Sequence, residues 1–288
     1  MSESLVLGTR GSALALAQSQ QVADAITAAT GLSVRLQIIR TRGDAIQDRP
    51  LAKVGGKGLF TAELEEGLRA GEIDLAVHSA KDLPTEDPPD LAIGAWPARQ
   101  DPRDVLVGPG LEDLRPGAVV GTGSQRRRLQ LLDLRPDLVI TDIRGNVDTR
   151  LAKRDAGLFD AILLAAAGLA RLGITRPDAR PLSIAQMVPA AGQGILAIQT
   201  RSADDRVLAA VRAIDVPAAR AAAGIERAFL RAWGGGCDVP AAAHAWPAGE
   251  AFEVTGFVAG ADGNPRRATL RGPAAGLGEA LAEALGAG

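Results

Sequence analysis

Leu5-Val6-Leu7-Gly8-Thr9-Arg10-Gly11-Ser12 opens the chain, and its outline returns downstream as Ala118-Val119-Val120-Gly121-Thr122-Gly123-Ser124. Each copy holds a short apolar strand, a Gly-Thr turn and a serine placed to cap a helix. A serine hydroxyl accepts a hydrogen bond from an N–H group that a helix start leaves without a partner, so it marks where strand hands over to helix. Strand–turn–helix units of this kind build α/β sheets. Two of them predict two related α/β lobes whose helix N-termini face a shared cleft.

Further elements follow on either side. Ser12 starts a helix running to about residue 29, and a strand is predicted over 34–39. Phe60, Leu64 and Leu68 share one face of a helix over 59–70. A strand over 73–77 ends at His78-Ser79-Ala80-Lys81-Asp82. Prolines between 84 and 89 break regular structure, and 98–103 is read as a crossing between domains. In the second lobe a helix runs from Ser124 to 134, and strands over 138–141 and 161–164 enclose a helix over 147–156. A strand over 195–198 and a helix over 204–214 return to the first lobe. An alanine-rich helix over 218–232 stops before Gly234-Gly235-Gly236. Strands over 252–259 and 266–271 flank a hairpin turn at Ala261-Asp262-Gly263-Asn264, and a helix over 274–285 follows. The expected fold is α/β, with lobe 1 over 1–97 and 195–214, lobe 2 over 101–190, and a small α+β domain over 218–288.

Composition narrows the function. The 288 residues are 47% hydrophobic, enough for one large core or two to three smaller ones. Lys plus Arg is 32 against 34 for Asp plus Glu, a net charge of -2, which argues against a dedicated nucleic-acid binder. Residues 1–9 are too short, and too soon followed by Arg10, for a secretory signal. The apolar run over 161–170 is too short to cross a membrane. The single cysteine cannot form an intrachain disulfide, which suits a reducing compartment. His78, His244 and Cys237 are the only soft ligands, so no metal site is expected. A soluble, cytoplasmic protein is the expectation.

Arginine carries the strongest chemical signal. Arg126, Arg127 and Arg128 follow the second serine, Arg144 and Arg150 flank Gly145-Asn146, and Arg10 stands in the first turn. Guanidinium groups grip carboxylates or phosphates as a fork, and helix N-termini add donors and positive potential. As a group they predict a polyanionic ligand held between the lobes; for any single member the alternative is a surface ion pair. Lys53-Val54-Gly55-Gly56-Lys57-Gly58 lacks the ending of a P-loop, and Gly121-x-Gly123 fails as a dinucleotide fingerprint because Arg126 takes the third glycine position. That leaves a cation-bearing loop over an anionic site, or a solvated loop. Asp82 is placed to project into a cleft, where a carboxylate steadies a developing cation or exchanges protons; the alternative is a turn cap before Pro84. His78, beside Val77, reads as structural. A lone cysteine is commonly a small buried hydrophobe. Around Cys237, however, three glycines leave few side chains to bury the sulfur, which opens a covalent attachment as the other reading.

The segments Gly8-Thr9-Arg10-Gly11-Ser12, Thr41-Arg42-Gly43-Asp44, Leu51 to Phe60, His78-Ser79-Ala80-Lys81-Asp82-Leu83-Pro84 and Asp101-Pro102-Arg103-Asp104 stand in that order. Gly121-Thr122-Gly123-Ser124-Gln125-Arg126-Arg127, Arg144-Gly145-Asn146-Val147-Asp148-Thr149-Arg150, Ala190-Ala191-Gly192-Gln193-Gly194 and Gly235-Gly236-Cys237-Asp238-Val239-Pro240 follow. Together they closely resemble the hydroxymethylbilane synthase (porphobilinogen deaminase) family; beyond Pro240 the resemblance is weak. The resemblance implies two periplasmic-binding-protein-like lobes plus a small C-terminal domain that carries the cofactor. That cofactor would be dipyrromethane, joined by a thioether to Cys237. Four porphobilinogen molecules would be added in turn, each losing ammonia, and hydrolysis would release hydroxymethylbilane. Asp82 falls at the catalytic aspartate, steadying an azafulvene-like cation. Lys81, Asp82, Thr122, Ser124, Arg126, Arg127, Arg144 and Gly145 fall at cofactor-binding positions. Arg10, Ser12, Lys53, Lys57, Phe60, Arg144, Arg150, Arg171 and Gln193 fall at substrate-binding ones. A cytoplasmic monomer without metal, nucleic acid or membrane partner is implied. Gly123 replaces a frequent second hydroxyl residue, Gly234 a frequent acidic one, and the C-terminal domain is short. The rival readings are a non-enzymatic two-lobe carboxylate-binding protein, which needs neither Cys237 nor Asp82, and a DNA-binding regulator using Arg126 to Arg128, which the net charge opposes.

Overall fold

The structure is a computed structural model, described for residues 4–41, 61–234, 240–259 and 264–287. The chain divides into two compact units: Met1–Arg99 with Ile195–Ala221, and Gln100–Gly194 with Ala222–Gly288.

In the first unit, β1 (Leu5–Thr9), β2 (Val34–Ile38), β3 (Leu75–Ser79), β4 (Leu91–Ala95) and β10 (Leu196–Arg201) form a sheet in the order β2-β1-β3-β10-β4. β1 pairs parallel with β2 and β3, and β10 runs antiparallel to β3 and β4. Helices α1 (Ala13–Thr30) and α6 (Asp205–Arg212) cover one face. There Leu5, Leu7, Val22, Ile26, Leu75, Ile198, Val207 and Val211 make one buried cluster. Helix α2 (Ala62–Arg69) covers the other with Leu64 and Leu68, which pack on Ile73. Burial of each such side chain stabilises the unit by about 1.5–3 kcal/mol.

The second unit repeats the plan. Strands β5 (Asp104–Val107), β6 (Val119–Gly121), β7 (Val139–Thr141), β8 (Ala161–Ala165) and β9 (Ala179–Pro181) take the order β7-β6-β8-β5-β9. β6 is parallel to β7 and β8, and β5 antiparallel to β8 and β9. The antiparallel strand next to the third parallel one is thus β10 in one sheet and β5 in the other. Alternation puts Leu106 and Leu163 in one buried cluster with Leu131 of α3 (Gln125–Leu134). Val105, Val107, Ile162 and Leu164 enter the other, with Leu151 of α4 (Val147–Asp155) and Leu169 of α5 (Ala166–Arg171). Beyond helix α7 (Pro217–Ala232), an antiparallel sheet of β11 (Ala241–Ala248), β12 (Ala251–Ala259) and β13 (Pro265–Gly272) carries α8 (Leu277–Leu285). Gly256 admits that helix: a Cβ there would meet Leu281 Cδ2 at 2.8 Å.

The α/β reading with a small C-terminal sheet and helix holds, and the differences are local. The strand expected over 73–77 lies at Leu75–Ser79, so Ile73 packs outside it while His78 and Ser79 join it. The last helix begins at Leu277 because Gly276, at φ 76°, precedes it in the left-handed region. β4, β5, β9 and β11 were not foreseen. The predicted hairpin turn lies mostly outside the described residues.

Candidate active site

In the first unit the parallel strands β1 and β3 both deliver their following segments to one edge of the sheet. After β1, Thr9 is buried: its Oγ1 donates to a nearby carbonyl and accepts from Ser19 Oγ at 2.7 Å. That fixes the turn bearing Arg10. Ser12 then caps α1, its Oγ accepting from Ala15 N at 3.3 Å. After β3, residues Ala80–Asp82 form one 3-10 turn, anchored where Ala80 N donates to Ile195 O at 3.0 Å. Lys81 is half-buried on this turn, and Asp82 is exposed. Among the described residues the Asp82 carboxylate accepts no hydrogen bond and joins no ion pair, so it does not cap the turn. His78 is buried against Gln199, Nε2 to Oε1 3.0 Å. Burial pushes this imidazole down to about 4; the Gln199 hydrogen bond opposes the shift and the Arg10 charge adds to it.

In the second unit three parallel strands end at one edge, and α3, α4 and α5 begin there. Ser124 caps α3 by accepting from Arg127 N at 3.4 Å, and Thr122 Oγ1 accepts from Ser124 N at 3.2 Å. Arg126 and Arg127, 6% and 7% exposed, turn inward to Asp104, which is 0% exposed. Asp104 Oδ2 accepts from Arg126 Nη1 at 2.7 Å, and Oδ1 from Arg127 Nε at 2.9 Å and Nη2 at 2.7 Å. Arg126 Nη1 also donates to Val188 O, and Arg127 Nη1 to Leu163 O. Gln193 Nε2 donates to Pro102 O at 2.7 Å and Asp104 Oδ1 at 3.0 Å. Burial alone would raise the Asp104 carboxyl; the two guanidinium charges, with hydrogen bonds from Arg126 and Gln193, hold it well below the usual carboxylate range.

Among the described residues, Arg144, Arg150 and Arg171 of this unit have no carboxylate partner. Gly145, at φ 110°, turns the chain between Arg144 and α4, and a Cβ there would lie 2.7 Å from Thr149 Cβ. Lys153 Nζ donates to Arg144 O at 3.0 Å, and Arg150 Nε to Gly145 O at 2.7 Å. Burial, then the charges of Arg127 and Arg144, push Arg150 down to about 10. Arg171 is pushed down to about 10 by burial; its Nη2 donates to Gly194 O at 2.8 Å, and among the described residues its buried Nε has no hydrogen-bond partner. One carboxylate set against several close guanidinium groups leaves an excess of positive charge, which suits an anionic ligand.

Of the residues singled out in the sequence, Arg10, Ser12, Lys81 and Asp82 lie at one sheet edge of the first unit. Thr122, Ser124, Arg126, Arg127, Arg144, Gly145, Arg150, Arg171 and Gln193 belong to the second. Lys53, Lys57, Phe60 and Cys237 lie outside the described residues. Sequence reasoning gave Asp104 no role. Its signal was a carboxylate opening an otherwise apolar strand, Asp104-Val105-Leu106-Val107. No group of metal-ligating side chains occurs among the described residues, and none of their helices is long and apolar enough to cross a membrane.

Comparison with known proteins adds the family. Residues 5–209 match the model for the porphobilinogen deaminase dipyromethane cofactor binding domain, and residues 221–287 that for the porphobilinogen deaminase C-terminal domain. The porphobilinogen deaminase of Roseiflexus castenholzii is 52% identical over 292 residues, covering 99% of this chain and 96% of that one. That of Nitrobacter winogradskyi is 47% identical over 287 residues, covering 98% and 90%. A periplasmic substrate-binding protein of an ABC transporter from Coxiella burnetii aligns at 14% identity and a TM-score of 0.44, over 77% of this chain and 96% of that one, too loosely to carry an argument. With matched models spanning nearly the whole length, and relatives about half identical to it, the chain belongs to the porphobilinogen deaminase family.

Proposed function

We propose that the chain is a hydroxymethylbilane synthase. It condenses four porphobilinogen molecules head to tail, with loss of ammonia from each, on a dipyrromethane primer held by a thioether to Cys237, and releases hydroxymethylbilane by hydrolysis. The observation that carries this beyond family membership is the uneven charge of the second unit: burial, then the charges of Arg127 and Arg144, lower Arg150, while among the described residues Asp104 is the one buried carboxylate that faces Arg126 and Arg127. Such a cluster fits a dicarboxylic pyrrole, and the Arg171 Nε, without a partner among the described residues, is a donor still to be used.

Arg126, Arg127, Arg144, Thr122, Ser124 and Gly145, with Lys81 and Asp82, would hold the dipyrromethane, which when bound supplies the pyrrole end that starts the chain. Arg10, Ser12, Lys53, Lys57, Phe60, Arg144, Arg150, Arg171 and Gln193 would bind substrate. Forked contacts to acetate and propionate groups orient each pyrrole ring. When ammonia leaves the substrate's aminomethyl carbon, positive charge develops there. The exposed Asp82 carboxylate stabilises that charge and accepts pyrrole N–H bonds, and it is available because no neighbour among the described residues claims it. The single cysteine supports a reducing compartment such as the cytoplasm, and the family resemblance supports a monomer.

Intact-mass measurement tests the reading. Purified chain is expected to carry an adduct of dipyrromethane size that Cys237→Ala lacks, and to consume porphobilinogen. An active chain without the adduct removes the tethered primer; porphobilinogen binding without turnover leaves the carboxylate-binding protein.

A further inference from the structure

Arg126 and Arg127 stand where a helix tolerates positive charge least. They follow the Ser124 cap within the first turn of α3, which contains no acidic residue. There the helix dipole already presents its positive end. Both are buried, and one residue answers both charges. Asp104 divides its oxygens, one facing Arg126 and the other gripping Arg127 through two nitrogens, while Gln193 approaches the second oxygen from another side. A pair serving stability alone would balance charge one to one. Here one negative group faces two positive ones, and among the described residues Arg126 Nε and Nη2 donate to no acceptor.

We propose that Asp104 is a positioning residue for the ligand-binding arginines. Fully buried, it is out of a ligand's reach. By splitting its carboxylate it fixes the planes of both guanidinium groups, and so the directions in which their remaining N–H groups meet pyrrole carboxylates. The proposal rests on the function proposed above.

Asp104→Glu keeps the charge but moves it by one methylene, and Arg127→Leu removes the fork. The two single variants, the double variant and the parent are compared by adduct occupancy from intact mass, by kcat/KM for porphobilinogen, and by urea midpoint. Asp104→Glu is expected to fold, to show reduced adduct occupancy, and to lose about 100-fold in kcat/KM, the scale of a 1 Å misplacement. In the Arg127→Leu background the same change should cost at least about tenfold less, because its effect passes through Arg127. Losses that simply multiply overturn the proposal. So does a lowered urea midpoint with parent-like occupancy and kcat/KM, the mark of a purely structural pair. Should Asp104→Glu fail to fold, Gln193→Ala removes one bond to Asp104 and is expected to lower both readouts in the same direction; parent-like values overturn the proposal. A parent chain with neither adduct nor turnover brings down the functional reading itself.

Discussion

In the first unit the Gly-Thr turn places Arg10 ahead of the Ser12 cap; in the second, Arg126 and Arg127 come after Ser124, inside the helix. That small shift changes what each unit must do with a carboxylate. Arginines inside the first turn point back to the sheet and need a buried counter-charge, which Asp104 supplies from β5. In the first unit Asp82 stands exposed on its turn, claimed by no neighbour among the described residues. One scaffold, used twice, spends one carboxylate on geometry and leaves the other for chemistry.

The contrast breaks most visibly on stability. Asp104→Asn leaves two buried guanidinium groups without their counter-charge and should cost about 3–5 kcal/mol in urea unfolding. Asp82→Asn, at an exposed position, should stay within about 0.5 kcal/mol of the parent. Equal costs would erase the distinction.

Acid separates the two units next. His78 is held neutral, with a folded pKa of about 4 against 6.5 unfolded. Below pH 6.5 the unfolded chain takes up the proton more readily. Its contribution is therefore complete above pH 6.5 and is lost as pH falls through about 4, amounting to roughly 3 kcal/mol. Asp104 lies below the usual carboxylate range and keeps its charge across that window. Hydrogen exchange between pH 7 and 4 should show β3 and β10 losing protection before β5 and β8. Parallel loss, or an identical pH slope in His78→Gln, would contradict this.

The caps should show the smallest effect and the greatest likeness. Ser12→Ala and Ser124→Ala should each cost about 1 kcal/mol by urea midpoint. A several-fold difference between them would show that the two turns are not equivalent.

Both turns were legible in the sequence because capping and strand endings are local: Ser12 and Ser124 do cap α1 and α3. The α/β class followed from them. β5 was missed because it is four residues long and buried on both faces, so no polar alternation marks it. β11 was missed because its run of alanines has weak strand preference, and pairing with β12 forms it. The arginines were visible as charges at turns, but not that Arg126 and Arg127 face inward, since their partner Asp104 lies more than twenty residues earlier. Long-range pairing of that kind leaves no periodic trace. Gly234, noted as a departure where an acidic residue is frequent, sits at φ 73°, which glycine adopts without strain.

The division of labour is tested most directly by weighing Asp82→Asn chains during incubation with porphobilinogen. The variant should carry the primer mass and gain further pyrrole units at least about 100-fold more slowly than the parent, the scale of a lost acid–base or charge-stabilising group. Growth at the parent's rate would show that the exposed carboxylate takes no part in the chemistry.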